Sequence, residues 1–328
     1  MPRYATLRKI TTVTKFDPAK DIPNLEGKVC LVTGGNSGLG EATVAALAQH
    51  GPGTIYLAAR SRAKAEAALS RVRATSTAAS LANIQILDLD LASFESIRAA
   101  AARVQSEVDR LDVLHLNAGV AMIPHSTTEE GYEVQFGTNY LGHALLTQLL
   151  MPLLVRTTRL SGADVRIVSM SSVGHKFFAS KTGIFFDELK TEMKTHSGAE
   201  LYGAANLAKT LFAYELAKRY PRITTSSLHP GTVKSNVWGG EKGVNVLITY
   251  LIVKPLVALT GVSNEEGAKT QLWCSFSHEV ESGRYYEPIG KAGKDGPLSR
   301  DDELSRRLWE WTDRELQDHG APGWPSPD

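Results

Sequence analysis

The clearest chemical signature in this chain is carried by three glycines. Gly34, Gly38 and Gly40 stand in the run VTGGNSGLG, with Asn36, Ser37 and Leu39 between them. An apolar stretch precedes the run and an Ala-rich one follows, so the loop joins a strand to a helix. Gly34 permits a tight turn out of the strand, Gly38 lets backbone N–H groups approach a pyrophosphate, and Gly40 lets helix and strand pack closely. The partial positive charge of the helix N-terminus favours the same anion. Residues 34–40 are therefore a candidate dinucleotide-binding loop. A site for NAD(H) usually carries an acid about 20 residues further on, where it accepts hydrogen bonds from the ribose hydroxyls. Here that neighbourhood reads Ala58, Ala59, Arg60, Ser61, Arg62. A carboxylate would repel a 2′-phosphate, whereas a guanidinium can hold it with two charge-assisted hydrogen bonds. Arg60 is the candidate 2′-phosphate ligand, and the cofactor expected is NADP(H).

The elements around the loop must place it at the carboxyl end of a sheet. Short β-branched runs at 28–33, 54–58, 84–87, 113–116, 165–168 and 222–228 read as strands. Ala- and Leu-rich stretches at 38–50, 62–73, 94–108, 132–154 and 202–219 read as helices. Alternation at this spacing predicts βαβ units: an α/β fold, a single-domain Rossmann-type doubly wound parallel sheet with helices on both faces. Residues 301–316 open acidic and read as a terminal helix. The predicted organisation is an N-terminal extension over 1–24, one domain over 25–318, and a flexible tail over 319–328.

The balance of 36 basic against 35 acidic residues argues against nucleic acid as a partner. Two cysteines, Cys30 and Cys274, form no disulfide framework, and the N-terminus lacks the apolar core of a secretory signal. A cytoplasmic location is expected. The apolar stretch 244–261 contains Asn245, Lys254 and Pro255, and its uninterrupted part is too short to span a bilayer.

Beyond the loop, seven motifs occur in order: TGGNSGLG at 33–40, LDLAS at 89–93, LNAG at 116–119, NYLGH at 139–143, VSMSS at 168–172, YGAANLAK at 202–209 and HPGTVKS at 229–235. Together they resemble the short-chain dehydrogenase/reductase superfamily over 25–316. The AAR ending the second strand, the long stretch between the serine pair and Tyr202, and GRYYEPIGKAG at 283–293 resemble its retinol-dehydrogenase-like and WW-domain-oxidoreductase-like branch, and fungal reductases of secondary metabolism. The resemblance implies an NADPH-dependent ketoreductase or alcohol dehydrogenase acting on an apolar carbonyl or alcohol, polyketide- or terpenoid-like. It assigns Asp90 and the backbone of Leu91 to the adenine. Asn117, Ala118 and Gly119 become a wall beside the cofactor, with Leu116 where the family has asparagine. Asn139 would hold an ordered water, Ser172 would bind the substrate oxygen and Tyr202 would exchange the proton. Pro230, Gly231, Val233 and Ser235 would frame the nicotinamide. A homodimer is implied by analogy.

One position departs from the family pattern. An unperturbed phenol, near 10, is a poor base at neutral pH. The family sets a lysine four residues after the tyrosine, whose charge favours the phenolate. Here Asn206 stands four residues after Tyr202 and Lys209 seven, with the two types exchanged. At about 100° per residue, offset four lies roughly 40° to one side of Tyr202 and offset seven roughly 20° to the other, about 4.5 Å further along the axis. A lysine leaning toward the helix N-terminus spans that gap, so Asn206 could bond the ribose while Lys209 supplies the charge. The competing reading is an NADP-binding protein with little redox activity: a sensor, a partner-binding module, or a catalyst of cyclisation or isomerisation. His143, His175, His196 and His229 lack metal-ligand spacing and read as ordinary polar residues, so no metal is expected. The stretch 236–262, rich in apolar side chains, is a candidate substrate lid, and Phe177, Phe178, Phe185 and Phe186 a candidate second wall. Both could equally be core or oligomer contacts, and the same apolar face could rest on a membrane surface.

Overall fold

The computed structural model describes residues 15–233 and 261–327. Its centre is an eight-stranded sheet in the order β3-β2-β1-β4-β5-β6-β7-β8. The strands are β1 (Val29–Thr33), β2 (Thr54–Ala59), β3 (Ile84–Asp88), β4 (Val113–Leu116), β5 (Val165–Met170), β6 (Ile223–Leu228), β7 (Arg284–Glu287) and β8 (Lys291–Ala292). All pairings are parallel except β7 with β8. The order reverses between β1 and β4, and it is at such a reversal that open α/β sheets leave a crevice beyond the strand ends.

Every residue of β1, β4 and β5 is buried, as expected where helices cover both faces. Alternation along β1 divides the core. Val29 and Leu31 face the cluster under α3 (Phe94–Glu107), α4 (Gly142–Thr157), α5 (Gly198–Arg219) and α7 (Asp302–Asp318). Cys30 and Val32 face the cluster under α1 (Gly38–Ala48), α2 (Arg62–Arg73) and α6 (Asn264–Phe276). The doubly wound α/β sheet expected from the sequence is present.

Three differences have local causes. The single helix expected over 132–154 is broken by a π-helical turn, Gly137–Leu141, in which the Gly142 N–H reaches the Gly137 carbonyl. The helix crosses the chain here: a Cβ on Gly142 would lie 2.2 Å from the Leu91 carbonyl oxygen. The tail read as flexible is packed instead. Trp324 lies 4.3 Å from Trp309 between ring centres, and the Tyr220 hydroxyl donates to the Pro325 carbonyl at 2.7 Å. Helix α6 and strands β7 and β8 were not foreseen. Among the described residues no helix is long and apolar enough to cross a membrane.

Candidate active site

The carboxyl ends of β1, β4, β5 and β6 meet on one side of the sheet, and the candidate residues lie there. Gly34 and Gly38 have φ of +66° and +55°, conformations that side-chain-bearing residues rarely adopt. A Cβ on Gly40 would sit 2.2 Å from the Gly34 carbonyl oxygen, whereas one on Gly38 would meet nothing nearer than Asn264 Oδ1 at 3.9 Å. The loop is thus tight beneath and open above. Ser37 caps α1 without a side-chain hydrogen bond. The serine caps of α2, α3, α5 and α6 (Ser61, Ser93, Ser197 and Ser263) each accept from a helix N–H. The first N–H groups of α1 therefore keep the orphan donors that an anion can use. This cradle fits the pyrophosphate of a dinucleotide.

Arg60 at the end of β2 has a side chain 74% exposed, 3.9 Å from the Asp90 carboxylate. Arg62 is already paired, with Asp88 at 3.0 Å and Glu66 at 3.3 Å, which leaves Arg60 as the better placed guanidinium. Asp90 Oδ1 accepts from the Ala92 N–H at 3.0 Å, and Leu91 is buried against Gly142.

The wall of Asn117, Ala118 and Gly119 is held from two sides. The Thr33 hydroxyl oxygen accepts from the N–H of Asn117 at 2.9 Å and of Ala118 at 3.0 Å, and Asn117 Nδ2 donates to the Thr33 carbonyl at 2.8 Å. Asn139 in the π-helical turn pairs with Val120 like a strand neighbour: Oδ1 accepts its N–H at 2.7 Å and Nδ2 donates to its carbonyl at 2.8 Å. The Asn139 side chain is thus spent on the wall.

Tyr202 lies in the second turn of α5, whose start is fixed by a capping box: the Ser197 hydroxyl accepts the Glu200 N–H and the Glu200 carboxylate accepts the Ser197 N–H. Its ring packs on Gly174, where a Cβ would come within 3.0 Å. Ser172 follows β5, and its hydroxyl oxygen accepts the Gly174 N–H at 3.1 Å. Burial pushes the Tyr202 phenol above its ordinary 10, and hydrogen bonds with the side chains of Ser172 and Asn206 pull it back. The phenol accordingly keeps its proton at neutral pH.

Asn206 Nδ2 donates to the Tyr202 carbonyl at 2.8 Å, and the Asn206 carbonyl accepts from the hydroxyls of Ser171 at 3.0 Å and Thr210 at 3.1 Å. Lys209 is 4% exposed, with Nζ 3.5 Å from the Ala118 carbonyl. Burial lowers its ammonium from 10.5 to about 7. The ammonium lies beneath Ala118, in the candidate wall, and away from solvent.

Pro230 and Gly231 (φ +90°) follow β6, and Val233 forms a parallel bridge with Val262. Ser235 lies outside the described residues, as does the candidate lid apart from 261–262. Of the candidate phenylalanine wall, Phe177 and Phe178 are exposed. Phe186 belongs to the core beside Trp311, and Phe185 packs on His196. These two are corrected to packing residues. Sequence reasoning missed Thr33, although its place before Gly34 made it legible, and Asn264, whose buried Oδ1 has no partner among the described residues.

A family model described as short chain dehydrogenase matches residues 28–196. Short-chain dehydrogenase/reductase drtF of Aspergillus calidoustus is 36% identical over 315 residues, 90% of this chain and 96% of its own. Retinol dehydrogenase 14 of Homo sapiens is 38% identical over 304 residues, 87% and 85% of the two chains. Among solved structures, an uncharacterized protein from Mycobacterium paratuberculosis matches with TM-score 0.68 at 26% identity, covering 91% of this chain and 97% of that one. The NADPH-bound carbonyl reductase from chicken fatty liver shares the fold, with TM-score 0.59 at 23% identity over 82% and 99%.

Proposed function

The chain belongs to the short-chain dehydrogenase/reductase family and is an oxidoreductase of the nicotinamide-dependent kind, and from that premise we propose that it is an NADPH-dependent reductase of an apolar ketone or aldehyde. The observation that carries this reading is the meeting of the Tyr202 phenol with the Ser172 hydroxyl beyond the carboxyl end of β5, on the same side of the sheet as the open glycine loop. A bound dinucleotide supplies the hydride. The chain's own residues bind, orient and protonate. The Gly174 N–H occupies one lone pair of Ser172 Oγ, and a substrate oxygen would take over the hydroxyl proton that Ser172 now shares with the Tyr202 phenol. Tyr202, held protonated by burial, gives its proton to the same oxygen. A donor phenol suits reduction, and alcohol oxidation would need alkaline pH to ionise it. Lys209, buried beneath Ala118, is the candidate for the positive charge that the exchanged asparagine cannot supply. Arg60, the less engaged arginine at the end of β2, favours the 2′-phosphate of NADPH.

The test mixes purified protein with NADPH and a panel of apolar ketones and aldehydes, and follows absorbance at the reduced nicotinamide band. Consumption of NADPH is expected with at least one bulky apolar carbonyl. Tyr202→Phe should retain NADPH binding and lose turnover by at least about a hundredfold, the usual weight of a general acid. Tight NADPH binding with no consumption against the whole panel would overturn the reductase reading.

A further inference from the structure

The two grips on the cofactor wall are joined through one buried ring. His143, the second residue of α4, is 1% exposed, with Nδ1 2.8 Å from the Asn139 carbonyl and Nε2 2.9 Å from the Thr33 hydroxyl. A carbonyl only accepts, so the proton is on Nδ1, and Nε2 accepts from the hydroxyl. Burial lowers this imidazole to about 3, and the nearby Lys209 charge acts in the same direction. The ring is neutral with a fixed tautomer. Thr33 shares its single proton between His143 and the His115 carbonyl at 3.1 Å, while its lone pairs take the N–H groups of Asn117 and Ala118. Asn139 grips Val120 at the other end of the wall. Among the described residues His143 is the one side chain that bonds both grips.

We propose that His143 is a positioning residue for the cofactor wall: through Thr33 and Asn139 it sets where Asn117–Val120 stand relative to the glycine loop, and so where the Ala118 carbonyl receives Lys209. Burial alone favours hydrogen bonding of polar ring nitrogens, so the identity of the partners, rather than the bonds themselves, carries the role. Here both are used, each to a residue that itself holds the wall. The proposal rests on the reading that this wall faces the dinucleotide. It extends that reading to a side chain that contacts neither cofactor nor substrate.

The test compares His143→Leu, which keeps bulk and removes both bonds, with His143→Gln, whose amide can donate to Asn139 and accept from Thr33. NADPH dissociation constants come from fluorescence titration, turnover from NADPH consumption and folding from thermal melts. His143→Leu should weaken NADPH binding about tenfold, about 1.4 kcal/mol, the scale of one or two lost buried hydrogen bonds. His143→Gln should recover most of it. A folded His143→Leu protein that melts lower but binds and turns over within twofold of the parent would overturn the proposal, since that is a packing effect. Should His143→Leu not fold, His143→Asn, whose shorter amide cannot span both partners, decides: a tenfold loss of affinity supports the proposal and an unchanged affinity overturns it. A parent protein that binds NADPH and reduces nothing defeats the reductase reading alone, because the affinity comparison still decides His143.

Discussion

Lys209→Met should make the protein more stable and less active, and both changes follow from where the ammonium lies. Lys209 is 4% exposed, and its one described hydrogen bond is long, 3.5 Å to a neutral carbonyl. Burial moves it from 10.5 to about 7. At 1.36 kcal/mol per tenfold change in proton affinity, holding the charge in the folded state at pH 7 costs about 5 kcal/mol. Methionine has a similar shape and needs no solvation. Losing the donor to Ala118 and imperfect repacking return about 2 kcal/mol, so the variant should gain about 3 kcal/mol. With an unfolding entropy of about 0.7 kcal/mol/K for 328 residues, that is a rise of about 4 °C in Tm. The pH dependence fixes the cause. Below about pH 7 the lysine is charged in both folded and unfolded parent, and the gap between variant and parent is full. Between about 7 and 10.5 the folded lysine has lost its proton while the unfolded one keeps it, so parent stability rises with pH; the gap closes near about pH 9 and reverses to about 2 kcal/mol in the parent's favour by pH 10.5. Melts of both apoproteins from pH 6 to 10.5 measure this directly. Turnover should fall at least about a hundredfold in the variant, the scale of one lost proton-handling group. A variant less stable than the parent at pH 7, or a gap independent of pH, would refute the burial argument. A variant equally stable and fully active would remove Lys209 from the site.

Two further substitutions probe the dinucleotide cradle. Arg60→Glu should weaken NADPH binding about thirtyfold and leave NADH less affected, because it places a carboxylate where a 2′-phosphate would lie. Paired fluorescence titrations read this, and equal losses for both cofactors would refute the assignment. Gly40→Ala should destabilise the protein by about 2 kcal/mol and abolish NADPH binding, since its Cβ would meet backbone at 2.2 Å. Gly198→Ala, at the start of α5 with nothing nearer than 3.6 Å, should be neutral or slightly stabilising in the same melts.

The parallel part of the fold was legible because its strands are buried on both faces and read as apolar runs, β1 and β2 above all. Helix α6 carries little one-sided apolar patterning, being buried on several sides from Gly267 to Ser275, so no period announces it. Strand β7 has four residues and β8 two, too short for alternation to register. The tail misled through its composition. Gly and Pro suggest a loose chain, but Trp324 carries enough apolar surface to dock against Trp309 and Phe212.

The site was legible where backbone geometry demands a residue type and obscure where partners come from distant segments. Glycine spacing announces the loop because no other residue could occupy Gly34 or Gly40. Helix periodicity rightly set Asn206 and Lys209 on either side of the Tyr202 direction, but it is silent on what each meets across the sheet. The structure separates their tasks. Asn206 turns back along its own helix to the Tyr202 carbonyl, and its backbone ties α5 to Ser171 beside the candidate Ser172. Lys209, almost one turn on, passes beneath a different strand end to Ala118. An ammonium there lies next to the neutral ring of His143, and a protonated imidazole would repel it. Holding that ring far below neutral pH is therefore part of what lets a cation reside at this depth. The charge of Lys209 in α5 thus bears on a histidine in α4, and only the packing of the two helices makes that link visible.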